Sequence, residues 1–257
     1  MGGADVPHPR IIMLLNKLKI SSCLVPSPSS KQLINTINAW SFVVAQEDEE
    51  FAEALRGGDV LIPDGKSIVW ACRFLKMDRR PKERIAGWDL FRFEMERVNR
   101  EAMESGGGER KRVMFLGSSE EVLALIKEKA AVEYPALEIV TYSPPYKPEF
   151  SEEDSRAMVE AVNDCDPDLL WIGMTAPKQE KWAYEHWREL DIHCHCGTIG
   201  AVFDFYAGTV KRAPVWMQKA GLEWLHRLCS NPRRLWKRYL VGNSKFIYYI
   251  LKEKFAK

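Results

Sequence analysis

The sequence predicts an α/β protein: a Rossmann-like parallel sheet with helices on both faces, followed by a helical C-terminal appendage. Three observations lead there. Between residues 113 and 196, short apolar runs ending in turn residues alternate with amphipathic stretches, the pattern of right-handed crossovers in a parallel sheet. A chain of 257 residues, 46% hydrophobic and 28% charged, can bury one large core. Charge is also unevenly shared. From Gly208 to the end there are 12 Lys/Arg against 2 Asp/Glu, while the whole chain carries only +1, so residues 1–207 carry −9. Three parts follow: an N-terminal segment (1–30), partly disordered or helical; a Rossmann-like α/β core (31–207); and a basic aromatic helical appendage (208–257).

The opening ten residues have no apolar stretch flanked by a cleavage site, so no signal peptide is expected. Residues 11–20 are apolar with two lysines and suit a short helix or strand. Residues 33–37 alternate apolar and polar. Residues 43–55 read as one helix with acids in its first turn, and 59–63 as a short buried strand closed by the turn Asp64-Gly65. Helical spacing returns at 67–75. Gly87-Trp88-Asp89 reads as a turn and N-cap for a helix reaching about Ser105, and Gly106-Gly107-Gly108 as a linker.

The regular part then runs strand 113–116, helix 120–133, strand 139–142, helix 152–163, strand 169–173, helix 178–189 and strand 192–196. In the tail, residues 214–228 have helical spacing, with Met217, Ala220, Trp224 and Leu228 on one stripe. Asn231-Pro232 forms an N-cap with proline at the first helical position. Gly242-Asn243 is expected to stop that helix before a last apolar, lysine-flanked segment, 246–251.

Six scattered cysteines without framework spacing read as reduced thiols of a cytosolic protein. No window reaches the roughly 18 apolar residues of a membrane span. An acidic body with a basic aromatic tail expects an anionic partner for the tail: phosphates, a lipid surface or nucleic acid. Nucleic-acid binding is disfavoured because the body is net negative. The tail arginines 212, 227, 233, 234 and 238 sit among Trp216, Trp224, Trp236 and Tyr239, and Arg grips phosphate oxygens through a planar fork. Their bland alternative is a solvated helix face.

In an open parallel sheet, ligands bind beyond the carboxyl ends of the strands. Asp64, Gly117-Ser118, residues 175–180 and 198–200 all follow strands and should share one rim. Asp64 is the preferred carboxylate for proton transfer, although an Asp-Gly turn needs no function. Pro177, Lys178, Gln179 and Glu180 open a helix whose free N–H groups attract anions, or are simply a helix start. Asp164-Cys165-Asp166 resembles an acidic metal-nucleotide motif but approaches its strand from the wrong end. His193-Cys194-His195-Cys196 alternates faces, so one ion could not collect all four, and buried strand residues are the better reading. Gly117-Ser118-Ser119 lacks a full glycine fingerprint and a P-loop lysine.

Asn35-Thr36-Ile37-Asn38, Pro63-Asp64-Gly65, the run 176–180, residues 200–205 with Ala207-Gly208, Arg212-Ala213-Pro214 and residues 221–225 together resemble the WecG/TagA/CpsF family of bacterial glycosyltransferases, from about Asn35 to Leu240. The resemblance implies an inverting, metal-independent enzyme without a cofactor, docked peripherally on the inner face of the plasma membrane. Its donor would be a UDP-sugar carrying N-acetylmannosamine or a related hexose, with glucose or N-acetylmannosaminuronate as alternatives. Its acceptor would be a polyprenyl-diphosphate-linked sugar on the way to teichoic acid or exopolysaccharide. By similarity Asp64 matches the proposed base, with Arg84 and Gln179 beside it. Thr36, Asn38, Gly117, Ser118, Pro177, Lys178, Glu180 and Gly200 would line the substrate pocket. Arg227 and Arg234 match appendage arginines facing the diphosphate, and a third falls at Lys237 or Arg238. Thr175 departs from the glycine of many relatives. A homo-oligomer is left open, and a non-catalytic lipid-carrier scaffold is the contrasting class.

Overall fold

The computed structural model describes residues 31–77, 80–105 and 110–255, apart from the side chains of Lys219 and Arg234. The expectations for residues 1–30 and for the linker Gly106-Gly107-Gly108 lie outside the described residues.

Six strands form one all-parallel sheet in the order β2-β1-β6-β5-β3-β4. They are β1 (Gln32–Ile37), β2 (Val60–Pro63), β3 (Lys111–Gly117), β4 (Leu137–Tyr142), β5 (Leu169–Gly173) and β6 (His195–Thr198). The helices between them are α1 (Ala39–Glu47), α2 (Glu49–Gly57), α3 (Lys66–Phe74), α4 (Gly87–Glu104), α5 (Glu120–Glu133), α6 (Glu152–Cys165) and α7 (Lys178–Glu185). After β6 come α8 (Val202–Ala207), α9 (Val215–Ala220), α10 (Glu223–Ser230) and α11 (Pro232–Trp236). A π-helical turn (Lys237–Val241) and α12 (Gly242–Phe255) complete the described chain.

The period-2 alternation of each strand sorts its side chains between two buried faces. Val113, Phe115, Leu169 and Trp171 meet Phe91, Met95, Leu123, Phe203 and Tyr206 from α4, α5 and α8. Met114, Leu116, Leu170, Ile172 and Cys196 meet Met158, Val162 and Trp182 from α6 and α7. Cys194 and Cys196 therefore face one side. His195 faces the other, where its Nδ1 lies 3.1 Å from Glu94. Asp166, in a left-handed cap at the end of α6, lies 3.8 Å from Arg112 at the start of β3, away from the carboxyl rim.

Four boundaries differ from expectation, each for a local reason. The helix expected over 43–55 is two helices, because the Asp48 side chain accepts from Phe51 N–H at 3.0 Å and caps a new start. Helix α4 begins at Gly87 itself: Asp89 closes the cap by accepting from Ala86 N–H at 2.8 Å. The last strand is residues 195–198 rather than 192–196. Ile192 and Cys194 are buried by packing on the α6–α7 side before pairing with β5 begins. The tail helix expected over 214–228 breaks at Gly221, whose φ of +78° suits a residue without a Cβ.

Gly242 does not end a helix, as expected, but opens α12. A Cβ there would stand 2.7 Å from the Trp40 ring, so glycine lets this helix approach α1. The approach seats Phe246 and Ile250 in a core cluster with Ile37, Phe42, Phe51, Leu61 and Ile68, with Phe42 and Phe246 edge to face at 5.3 Å. Each such buried side chain contributes about 1.5–3 kcal/mol. The end of the basic tail is thus clamped to the core.

Candidate active site

Asp64 follows directly on β2, and its backbone N–H donates to the Ile37 carbonyl at 2.9 Å, which fixes the turn against the end of β1. The chain returns to this rim before α4, where Ile85 N–H donates to the Pro63 carbonyl at 3.1 Å and brings Arg84 alongside. Arg84 Nη1 lies 3.0 Å from Glu223 Oε2, an ion pair joining core to tail, with side chains only 15% and 18% exposed.

Burial pushes the Asp64 carboxyl up to about 6, against the pull of Arg84, Arg227 and Arg238 and with a smaller push from Glu223. Asp64 is half-buried, so its carboxyl is enclosed by protein while the residue keeps a path to solvent. That combination suits a base which must meet a substrate hydroxyl.

Two tail arginines are held facing this carboxylate. The Arg227 guanidinium lies over the Phe205 ring at 4.7 Å, and its charge is favoured by the Tyr239 hydroxyl and by Asp64. Tyr239 in turn packs on Trp224 at 6.1 Å. Arg238, on the π-helical turn, is pushed down by burial and drawn toward its charged form by Tyr239, Asp64 and Glu180. A π turn is one residue wider than an α turn, and such turns recur at functional sites. Here Arg238 and the adjacent Tyr239 both face the protein, while Lys237 is exposed with its ammonium 5.7 Å from the Trp236 ring. Of the two, Arg238 is the one whose charge acts on Asp64. The Arg234 side chain lies outside the described residues.

Arg212 stacks on Trp88 at 4.8 Å and donates to Gln218 Oε1 at 3.0 Å. It senses the same charges, Glu223, Asp89, Arg84 and Asp64.

The middle of the rim is built tightly. Gly117 has φ +119°, and a Cβ there would stand 2.6 Å from the Gly173 carbonyl oxygen; Ser118 follows at φ +64°. Gln179 is buried: its Oε1 accepts from Met174 N–H at 3.1 Å and its Nε2 donates to Glu180 Oε1 at 2.8 Å. Gly200, at φ +45°, packs beside that amide. Pro177 precedes α7 after a cis peptide bond, and Thr175 is exposed.

Asp64 thus senses the charges of Arg84, Arg227 and Arg238 at this rim, and Glu180 senses Arg238. Thr36 stands half-buried at the end of β1, facing Gly87. Asn38 spends its side-chain oxygen capping α1, accepting from Trp40 and Ser41 N–H. Lys178 turns to the loop after β4, donating to the Lys147 carbonyl at 2.6 Å with its ammonium 3.4 Å from the Phe150 ring centre. Glu223 and Tyr239 were absent from the expected set. Glu223 had a signal: it is one of only two acids in a strongly cationic tail. Tyr239 had none beyond its place among arginines. Among the described residues, no group of three or more His, Cys, Asp or Glu is arranged to hold a metal ion.

Comparison with known proteins identifies the family. The model of the family described as glycosyl transferase WecG/TagA/CpsF matches residues 19–257. An N-acetylglucosaminyldiphosphoundecaprenol N-acetyl-beta-D-mannosaminyltransferase of Bacillus subtilis is 30% identical over 222 residues, covering 86% of this chain and 80% of its own. The enzyme of the same name from Bacillus spizizenii is 29% identical over 212 residues, covering 82% and 76%.

Proposed function

This chain belongs to the glycosyl transferase WecG/TagA/CpsF family, and we propose that it moves N-acetylmannosamine or a related hexose from a UDP-sugar to a polyprenyl-diphosphate-linked sugar, with inversion. The observation that carries this reading is the enclosed Asp64 carboxyl, ringed by guanidinium groups from both the core and the tail. Asp64 removes the proton from the acceptor hydroxyl as that oxygen attacks the anomeric carbon. The bond from that carbon to the diphosphate oxygen breaks, and its electron pair leaves with UDP from the opposite face.

Negative charge grows on the leaving diphosphate. Arg227 and Arg238, already oriented in a cleft of low dielectric, stabilise it without reorganisation at the moment of reaction. In this reading the arginines supply the charge, and no metal is required.

The tail also presents apolar surface: Val215, Trp216, Trp236, Leu240, Ile247, Tyr248, Leu251 and Phe255 are exposed between lysines and arginines. We assign this face to the lipid interface, where a polyprenyl-linked acceptor resides. No helix among the described residues is long and apolar enough to cross a membrane.

The test is a transfer assay with UDP-N-acetylmannosamine and a short-chain lipid-diphosphate N-acetylglucosamine acceptor, with mass detection of product and NMR of the new anomeric centre. A β-linked product supports the reading. Turnover only with UDP-glucose or UDP-N-acetylmannosaminuronate keeps the mechanism and changes the donor. No transfer from any UDP-sugar overturns it.

A further inference from the structure

Glu180 is 1% exposed and, among the described residues, senses the charge of Arg238 without an ion pair to it. Its two carboxyl oxygens are treated differently. Oε1 accepts from Gln179 Nε2 at 2.8 Å, and Gln179 is itself locked by the Met174 N–H on its Oε1 at 3.1 Å. Oε2 is buried with no hydrogen-bond partner among the described residues. The Arg238 Nε is likewise buried with no hydrogen-bond partner among the described residues. Buried polar atoms are rarely left unsatisfied, and two such atoms within each other's electrostatic reach mark where a ligand would complete the bonding.

Which species waits at Oε2 follows from Oε1. Because an amide N–H₂ occupies Oε1, a proton on this carboxyl is favoured on Oε2, making it a donor with no acceptor among the described residues. We propose that Glu180 works as a neutral carboxylic acid whose Oε2–H donates to an oxygen of the nucleotide-sugar diphosphate, beside the Arg238 guanidinium. This rests on the reading of the site given above, and names a residue that recognises the donor rather than one that moves the acceptor proton.

The charges around Glu180 agree. From its own helix it meets Gln179 and its own backbone N–H, and from the π turn it senses Arg238. Lys181, next on α7, is tied to Asp48 and Glu50 at 2.7 and 3.0 Å. Desolvation outweighs these influences and pushes the Glu180 carboxyl up to about 7. A buried acid kept neutral donates well, whereas its ionised form would repel a diphosphate.

The diphosphate of a UDP-sugar is a diester that does not itself titrate near neutrality. Its binding can therefore be followed calorimetrically against pH without acceptor. Each protein compared carries Asp64→Asn, which removes the rim carboxyl that titrates at about 6. In that background the protein with wild-type Glu180 should hold its affinity below pH 7 and lose about tenfold per unit well above it. Glu180→Gln keeps a donor at the Oε2 position and an acceptor for Gln179, so it should bind like the Glu180 protein at pH 6.5 and stay flat to pH 9. Glu180→Met should bind about tenfold to a hundredfold more weakly at pH 6.5 and also stay flat. A pH-independent Glu180 protein, or a Glu180→Gln protein as weak as Glu180→Met, overturns the proposal. Circular dichroism of each variant separates misfolding from lost binding. If wild type binds no UDP-sugar at all, it is the underlying functional reading that fails.

Discussion

Arg84 and Glu223, 139 residues apart in the chain, meet at 3.0 Å and tie the start of α10 to the loop beside Asp64. This contact holds the tail over the rim. Both side chains are mostly buried, so removing one leaves the other charged and unpaired in a poorly solvated place. Arg84→Ala should lower kcat/KM by about tenfold or more, because Glu223 then raises the cost of ionising Asp64. The Arg84→Ala/Glu223→Ala double variant should recover part of that loss, and a double-mutant cycle on steady-state rates measures the coupling.

The tail guanidinium groups should matter most in the transition state. Arg227→Lys and Arg238→Lys keep a charge but lose the planar fork and, for Arg227, the stacking on Phe205. Each should lower kcat by about a hundredfold, with little change in protein melting temperature. Tyr239→Phe removes only the hydroxyl that orients Arg227, and should cost less than either arginine variant. Stopped assays for UDP release check the order of effects.

If these cations act in place of a metal, as proposed, chelation should leave the rate unchanged. Prolonged dialysis against EDTA followed by assay, with and without added magnesium or manganese, is the check. Loss of activity restored by either ion would contradict the reading.

Burial of Asp64 has a cost that can be read as stability. Its folded pKa, about 6, lies above the ordinary carboxylate value of 3.8. The protonated form is therefore the one the fold favours. That contribution is complete below the ordinary pKa and lost as pH rises through about 6. Asp64→Asn should therefore melt above wild type at pH 8 and together with it at pH 4, by scanning calorimetry. Wild-type kcat/KM should rise with pH through the same region as the base is freed.

The exposed apolar tail face should matter only at a membrane. Ile247→Glu/Leu251→Glu, both on the outer side of α12, should weaken binding to anionic vesicles and slow transfer to a long-chain acceptor. Transfer to a water-soluble short-chain acceptor should be unaffected.

The sheet was legible because its strands are short apolar runs with turn chemistry at their ends, as in Leu169–Gly173. Asp64 was singled out on the same ground: it is the first polar residue after a buried strand. What escaped depends on partners distant in sequence. Gly242 reads as a helix stop until Trp40 is seen against it, and nothing near Gly242 announces that neighbour. Asp48 interrupts a helical pattern by capping, where acids are equally common inside a first turn. The π turn shifts the helical phase after Trp236, so no regular periodicity could choose between Lys237 and Arg238. Asn38 and Lys178, expected in the pocket by position, also serve the fold: Asn38 caps α1, and Lys178 bonds the Lys147–Phe150 loop, contacts that position alone does not reveal.

The most direct measurement is kcat of Asp64→Asn with saturating UDP-sugar and acceptor, alongside its affinity for the UDP-sugar. The account predicts a fall of about a hundredfold or more in turnover with affinity essentially kept. A variant that turns over at the wild-type rate would show that the acceptor proton goes elsewhere, and that the ring of arginines around Asp64 serves another purpose.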